Sequence, residues 1–187
     1  MSGKHVCYQS LVCQDNKAKD KKLPNISIIN KHLIMEIRMS EHEFIEHLKK
    51  DHDKQKELGQ QLVDAETENE RERLRQEFYD ALYPHMIGEE ASIFSRLRAS
   101  DNEEAREDCL ECLQEHHAGK ILLRELMDIS TDSAIFRAKA KVLDEMNRHH
   151  IEEEEGAIFK HLKRMFSDGE LDKLFKQYEE AEEDVEE

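Results

Sequence analysis

Proline occurs only twice in the 187 residues, glycine six times and tryptophan not at all. So few chain breakers, without alternating β-branched runs, argue against an all-β fold. No stretch approaches 18 apolar residues, so no membrane-spanning helix is expected. The N-terminal residues lack the continuous apolar segment of a secretory signal. Four cysteines are too few for a disulfide scaffold, and a reducing, cytoplasmic setting is expected. Positive charge is also scarce, with 28 Lys and Arg against 44 Asp and Glu, a net −16. That balance argues against a nucleic-acid surface, which needs a basic face, and against docking to an anionic membrane. The chain has no glycine-rich phosphate loop, no Walker pattern and no Ser/His/Asp signature.

What remains is a charged chain whose apolar residues fall at helical spacing. Charged residues make up 39% and mean hydropathy is −0.87, yet 37% of residues are hydrophobic. A bundle of amphipathic helices with solvated outer faces reconciles these values. Residues 1–39 differ in character, and residues 1–40 carry a net charge of +4 against −20 for the rest. They read as a loop-rich extension or a segment packed along the bundle. Ser40 with Glu43 has the form of a capping box, opening a helix to about Val63. A second helix is expected from about Asn69 to Arg98, and a third from an N-cap at Asp101 to about Met127. A fourth runs from about Ser133 to Phe166, and a Ser167–Glu170 pair caps a short helix to about Glu180, followed by a frayed acidic tail. Four long helices with short connections predict an all-α, antiparallel up-down four-helix bundle over residues 40–166, with a short extra C-terminal helix in 167–187. Pro84 lies inside the second helix, where it either makes a tolerated kink or aims His85.

The chain also repeats itself. HMIGEEASIF (85–94) and HIEEEEGAIF (150–159) share a frame of His, three residues, Glu-Glu, two residues and Ile-Phe, 65 residues apart. A His and a Glu four apart share a helix face, and burying such a pair is costly unless something satisfies it. A fainter repeat accompanies this one: LKKDHDKQKEL around His52 aligns with CLQEHHAGKIL around His116 at an offset of 64. Helices one and two thus resemble helices three and four, as a duplicated hairpin would. Pseudo-twofold packing would turn His52, His85, Glu89, His116, His150 and Glu154 toward one axis, which is how metal sites in bundle cores are built. At the doublets His116–His117 and His149–His150, neighbours point about 100° apart, so one of each pair can face the site. The frame selects His116 and His150, leaving His117 and His149 at its edge or on the surface.

Other features read more plainly. Cys109 and Cys112 form a Cys-x-x-Cys, but they replace the apolar positions Ile45 and Leu48 of the first copy, so they read as small core residues. His5, His32, His42 and His47 have no counterpart in the repeat, and His161 lies on the His150 face but three turns on, about 16 Å along the helix.

These motifs together make the chain resemble the hemerythrin-like HHE cation-binding family, over roughly residues 41–166. The resemblance implies a four-helix bundle around two non-haem irons bridged by Glu89 and Glu154, with manganese or zinc less favoured. It implies a protein that binds or senses O2, NO, peroxide or iron itself, or a di-iron enzyme or repair protein acting by peroxide or NO reduction or by iron donation. One departure stands out. Oxygen-carrying relatives have a His-x-x-x-His pair on the third helix, whereas here the position four after His116 is Lys120. Two octahedral ions need about twelve positions. Four histidines, two bridging carboxylates and one bridging oxygen leave roughly two of them open, which suits small-molecule chemistry or labile iron. Lys120 either approaches the ions or snorkels outward.

Overall fold

A computed structural model describes residues 41–186. The expected extension at 1–39 and the expected cap Ser40 lie outside them. Helix α1 (Glu43–Asp64) begins at His42, whose Nδ1 accepts the Phe44 N–H at 3.2 Å. A neutral imidazole offers a lone pair at the reach of a short polar cap, and Glu43 and Glu46 add negative charge to the first turn. Helix α2 (Glu68–Ala91) opens with a full capping box: Thr67 Oγ1 accepts from Glu70 N, and Glu70 accepts from Thr67 N.

The second helix was expected to run unbroken to Arg98. Instead it stops at Ser92, where φ is −103° and ψ −85°, and resumes as the short α3 (Ile93–Leu97). The Ser92 hydroxyl donates to the Gly88 carbonyl at 2.6 Å, competing with the backbone ladder at the break. Helix α4 (Glu103–Asp128) is capped by Asn102 rather than Asp101, through the Ala105 N–H. Helix α5 (Ala134–Glu153) starts at Ser133 as expected, with Ser133 accepting from Phe136 N. It too deviates where a continuous helix was expected. Residues Glu154–Ile158 form a π-helical turn before α6 (Phe159–Met165). Helix α7 (Asp168–Glu186) opens at the expected Ser167–Glu170 pair and continues six residues beyond the expected end, through the acidic stretch.

No strand occurs among the described residues. Helix α1 packs on α2 and α5, and α4 packs on the same two, closing a ring of four. The short connections (65–67, 98–102 and 129–133) force neighbours in this ring to run antiparallel. Helix α7 lies along α2 and touches α1. At one end of the bundle the buried Arg71 ties two connections together. Its Nε donates to Thr131 O at 2.6 Å, and its Nη1 donates to the Ala65 and Glu66 carbonyls at 3.2 and 3.0 Å.

The apolar core is in two parts. One cluster includes Phe44, Leu48, Phe94, Cys112, Phe159 and Tyr178. The other includes Leu62, Phe78, Leu82, Met86, Leu123 and Phe136. Each long helix passes from one cluster to the other through a polar layer, and that layer contains the repeated His and Glu residues.

Candidate metal centre

The polar layer brings all six sequence-selected residues together, every one of them buried. His85 Nε2 lies 3.0 Å from Glu89 Oε1, one turn along α2. His116 Nε2 lies 3.3 Å from Glu89 Oε2, so this carboxylate is shared between α2 and α4. His52 Nε2 lies 3.2 Å from Glu154 Oε2 and His150 Nε2 lies 3.7 Å from the same oxygen, so Glu154 is shared between α1 and α5. His116 and His150 face each other with their Nε2 atoms 3.0 Å apart. Ligand atoms of His52, His85, Glu89 and Glu154 all fall within 4.8 Å of one another, and so do those of Glu89, His116 and His150.

The four rings point the same way, with Nε2 inward and Nδ1 outward. Each outward nitrogen has a partner. His52 Nδ1 meets Glu155 Oε1 at 3.0 Å, His116 Nδ1 meets Glu90 Oε1 at 3.1 Å, and His150 Nδ1 meets Glu115 Oε2 at 2.9 Å. His85 Nδ1 meets the Tyr178 hydroxyl at 2.8 Å, with Asp51 behind it at 3.6 Å. A carboxylate can only accept, so the Nδ1 atoms of His52, His116 and His150 carry protons, and these rings, once neutral, present Nε2 lone pairs inward.

Asp51 and Glu115, each next to a candidate histidine, point the wrong way for their own neighbour, as sequence spacing implies. Each instead faces the histidine of the adjacent helix, Asp51 toward His85 and Glu115 toward His150. Glu90 and Glu155 do the same across the other two seams. Glu90 is also held by Lys120, whose Nζ donates to both of its oxygens at 2.6 and 2.7 Å. Lys120 therefore turns to the outer carboxylate instead of the ligand cavity. His117 and His149 are exposed, as the frame implies.

Sequence reasoning missed every outer partner: Asp51 and Glu115, which serve the next helix, and Glu90, Glu155 and Tyr178. Glu90 and Glu155 were readable as the second glutamate of each repeated doublet. Tyr178 has no counterpart in the repeat.

The aromatic residues of the repeated phrase close the layer on one side. Phe94 meets the His116 ring edge-on at 5.2 Å, and Phe159 stacks on His52 at 5.8 Å. Each phrase ends over a histidine of the other hairpin. The helix break at Ser92 and the π-turn at Glu154–Ile158 occupy matching positions of the two copies. A π-turn inserts one residue into the ladder and re-aims the side chains around it, which is common at functional sites.

The charges in the layer are unbalanced in a telling way. Glu89 and Glu154 are 0% exposed, and none of their four oxygens has a hydrogen-bond partner. The inward Nε2 atoms of His52 and His85 are equally unpartnered. Two bare carboxylates in an apolar core need compensating positive charge. Burial alone would lower the affinity of His85 for a proton, but Glu89 and Asp51 outweigh it and push the pKa up to about 9. His52 is raised well above its ordinary value by Glu154, Glu155 and Glu89 despite desolvation, and His116 is raised by Glu89 and Glu90. Glu89 is held well below the usual carboxylate range, its desolvation overcome by His85, His116 and His52. Without a cation, the layer neutralises itself by taking up protons. A divalent cation in the same place would displace them.

The donor set of imidazoles and carboxylates suits iron, manganese or zinc. Burial pushes the nearby thiols up, Cys109 to about 11 and Cys112 higher still. Cys109 donates to the Phe94 carbonyl inside the apolar cluster, the core role expected of it.

The model of the hemerythrin HHE cation binding domain family matches residues 43–162, well over half of the chain. The chain belongs to that family. No curated protein and no solved structure matches it. The hemerythrin HHE match starts at the first residue of α1 and ends within α6, so it takes in the whole polar layer. Helix α7 lies beyond it. No helix of the described residues is long and apolar enough to cross a membrane.

Proposed function

We propose that the chain is a non-haem di-iron protein, holding two ions between His52, His85, Glu89, His116, His150 and Glu154, that binds or senses O2, NO, peroxide or iron. The observation that carries this reading is the pair of fully buried carboxylates with four unpartnered oxygens, each shared between histidines of two helices. A single four-coordinate zinc would leave part of this set unsatisfied; two ions sharing Glu89 and Glu154 use all of it. When bound, the iron pair supplies open coordination positions and reversible one-electron chemistry. The chain's own residues hold the imidazoles oriented with Nε2 inward, and they keep bulk water out with Phe94, Phe159 and the two apolar clusters.

A cavity of about 60 Å³ lies against His116 and His150, walled by Leu82, Met86, Gly119 and Leu143. It has room for a diatomic molecule or peroxide, since one water needs about 10–15 Å³ of such space. Its wall is mostly apolar, and Glu115, Asn147 and His149 also line it.

The test is anaerobic loading with ferrous iron followed by NO or air, read by metal analysis and the optical spectrum. About two irons per chain, and charge-transfer bands that appear with NO or air, support the reading; wild-type protein that takes up no metal overturns it. The same experiment separates binding from an enzyme, because stable bands indicate a carrier or sensor and bands that decay while reductant is consumed indicate turnover. Gly119→Leu provides the control for the cavity. A Cβ at Gly119 meets only Met86 Sδ, at 3.8 Å, so the side chain has room to enter. Iron loading should be unchanged, while affinity for NO falls at least tenfold.

A further inference from the structure

Helix α7 lies outside the matched family segment, yet it reaches the metal layer through one side chain. Tyr178 is fully buried, and its hydroxyl contacts three groups: His85 Nδ1 at 2.8 Å, Glu182 Oε1 at 2.8 Å and Asp51 Oδ2 at 3.2 Å. A phenol has one proton to give. With Nε2 turned inward, His85 keeps a proton on Nδ1 both when the ring is protonated and when Nε2 holds a cation, so the phenol oxygen accepts from Nδ1–H and gives its own proton to Glu182 or Asp51. The other three histidines of the layer give that proton directly to a carboxylate. At His85 the equivalent carboxylate, Asp51, stands at 3.6 Å with the phenol against both.

The insertion is built into the fold. Gly88 lies one turn after His85 on α2, and a Cβ there would meet the Tyr178 ring at 2.6 Å. The bare glycine backbone is what lets the ring come this close to α2. Phe44 and Phe175 stack beside it, with Phe44 5.4 Å from the Tyr178 ring, and fix its position from α1 and α7.

We propose that Tyr178 is a positioning residue of the centre: through the His85 Nδ1–H it fixes the orientation and tautomer of that imidazole, so that α7 tunes one of the two cation positions and leaves the other alone. The selectivity follows from the layout. His85 belongs to the group with His52, Glu89 and Glu154, whereas His116 and His150 stand in the other group and are oriented by Glu90 and Glu115. This inference rests on the two-ion reading for its metal consequence, but the hydrogen bond between His85 Nδ1–H and the phenol oxygen is a property of the chain without metal.

The test is Tyr178→Phe, which keeps the ring in the Gly88 notch and removes only the hydroxyl. Co²⁺ is titrated into wild type and variant anaerobically and followed by its visible absorption. Loss of an outer partner of a metal-binding histidine weakens affinity about 10–100-fold. The expected result is one binding step weakened by that factor and a second step unchanged. Two unchanged steps overturn the proposal. Two steps weakened equally, with a lowered melting temperature, also overturn it, because they indicate a purely structural role. Nitrogen-15 NMR of the metal-free protein provides the second readout, with the His85 signals assigned by their loss in His85→Gln. Wild type should show a slowly exchanging His85 Nδ1–H that is lost or exchanges fast in Tyr178→Phe; an unchanged signal overturns the proposal. If wild type binds no Co²⁺, the two-ion reading falls, and the NMR comparison still decides the role of Tyr178.

Discussion

The metal-free protein should lose stability as the pH rises from about 6.5 to about 9, an unusual direction for an acidic chain. The perturbation is a pH series in the presence of a strong chelator. His85 is the clearest contributor, since Glu89 and Asp51 raise its pKa from 6.5 to about 9 in the folded protein. A group whose folded pKa is raised stabilises fully below its unfolded pKa, and that contribution disappears as pH rises through the folded value. A difference of roughly 2.5 units at about 1.4 kcal/mol per unit gives a loss on the order of 3 kcal/mol for this residue. His52 and His116 are shifted in the same direction and add to the slope. The physical cause is the pair of buried carboxylates, which have no other positive charge near them once the rings are neutral. Glu89 acts at the opposite end of the scale. Its pKa is depressed, so its contribution is present above about 4.5 and is lost as pH falls below that. Stability without metal should therefore peak between about pH 4.5 and 6.5. A bound cation takes over the role of those protons, so metal affinity should rise through the window in which the metal-free protein weakens. Urea midpoints at pH 6, 7, 8 and 9, with chelator and then with saturating metal, read both slopes. A midpoint that stays level or rises from pH 6.5 to 9 in chelator would refute the reasoning, because it would mean that the carboxylates are balanced in some other way.

Two further predictions concern the frame around the centre. Arg71→Leu should lower the unfolding free energy by about 2–4 kcal/mol, because it strips a buried charge-assisted network from two interhelical connections. Arg71→Lys should recover less than half of this, since a compact ammonium cannot span both connections, and metal stoichiometry should stay unchanged in each; urea unfolding with metal analysis checks the pair. Cys109 and Cys112 should react with a thiol reagent no faster than the chain opens, since both are buried and held as thiols. Peptide mass spectrometry after timed labelling reads this, and rapid labelling of Cys112 in folded protein would show that the metal layer is open on that side.

The candidate site was legible because duplication wrote it twice. One His-x-x-x-Glu among so many charged residues carries little weight, but two copies in one apolar frame fix a helix face. The structure gathers all six of those residues in one layer. Helix boundaries were legible where one residue could cap, as at Ser133 and Ser167, and not where several polar residues compete. Asp101 and Asn102 are adjacent and both suit the role, so tertiary packing chooses Asn102. At α1 the cap is a histidine, a residue that propensity does not favour there. The breaks after Glu89 and at Glu154 were not legible at all. Ile and Phe at those positions suit a continuous helix, and a lone serine such as Ser92 does not announce that its hydroxyl will take the Gly88 carbonyl.

The outer partners of the histidines show most clearly what a sequence read one helix at a time leaves out. Asp51 and Glu115 are sequence neighbours of His52 and His116 and point about 100° away from them, so neither reads as a partner along its own helix. Their partners are one helix away, and that pairing exists only once the hairpins close. Three seams of the ring follow the same rule: a carboxylate next to a candidate ligand on one helix holds the ligand of the next, Glu90 to His116, Glu115 to His150 and Glu155 to His52. At the fourth, Asp51 keeps its place by His85 but yields the direct contact to Tyr178. A duplicated hairpin would make its seams equal in pairs, Asp51–His85 with Glu115–His150 and Glu90–His116 with Glu155–His52, so the unequal one is where this chain departs from its own symmetry. It is also the seam covered by the helix that the repeat does not contain.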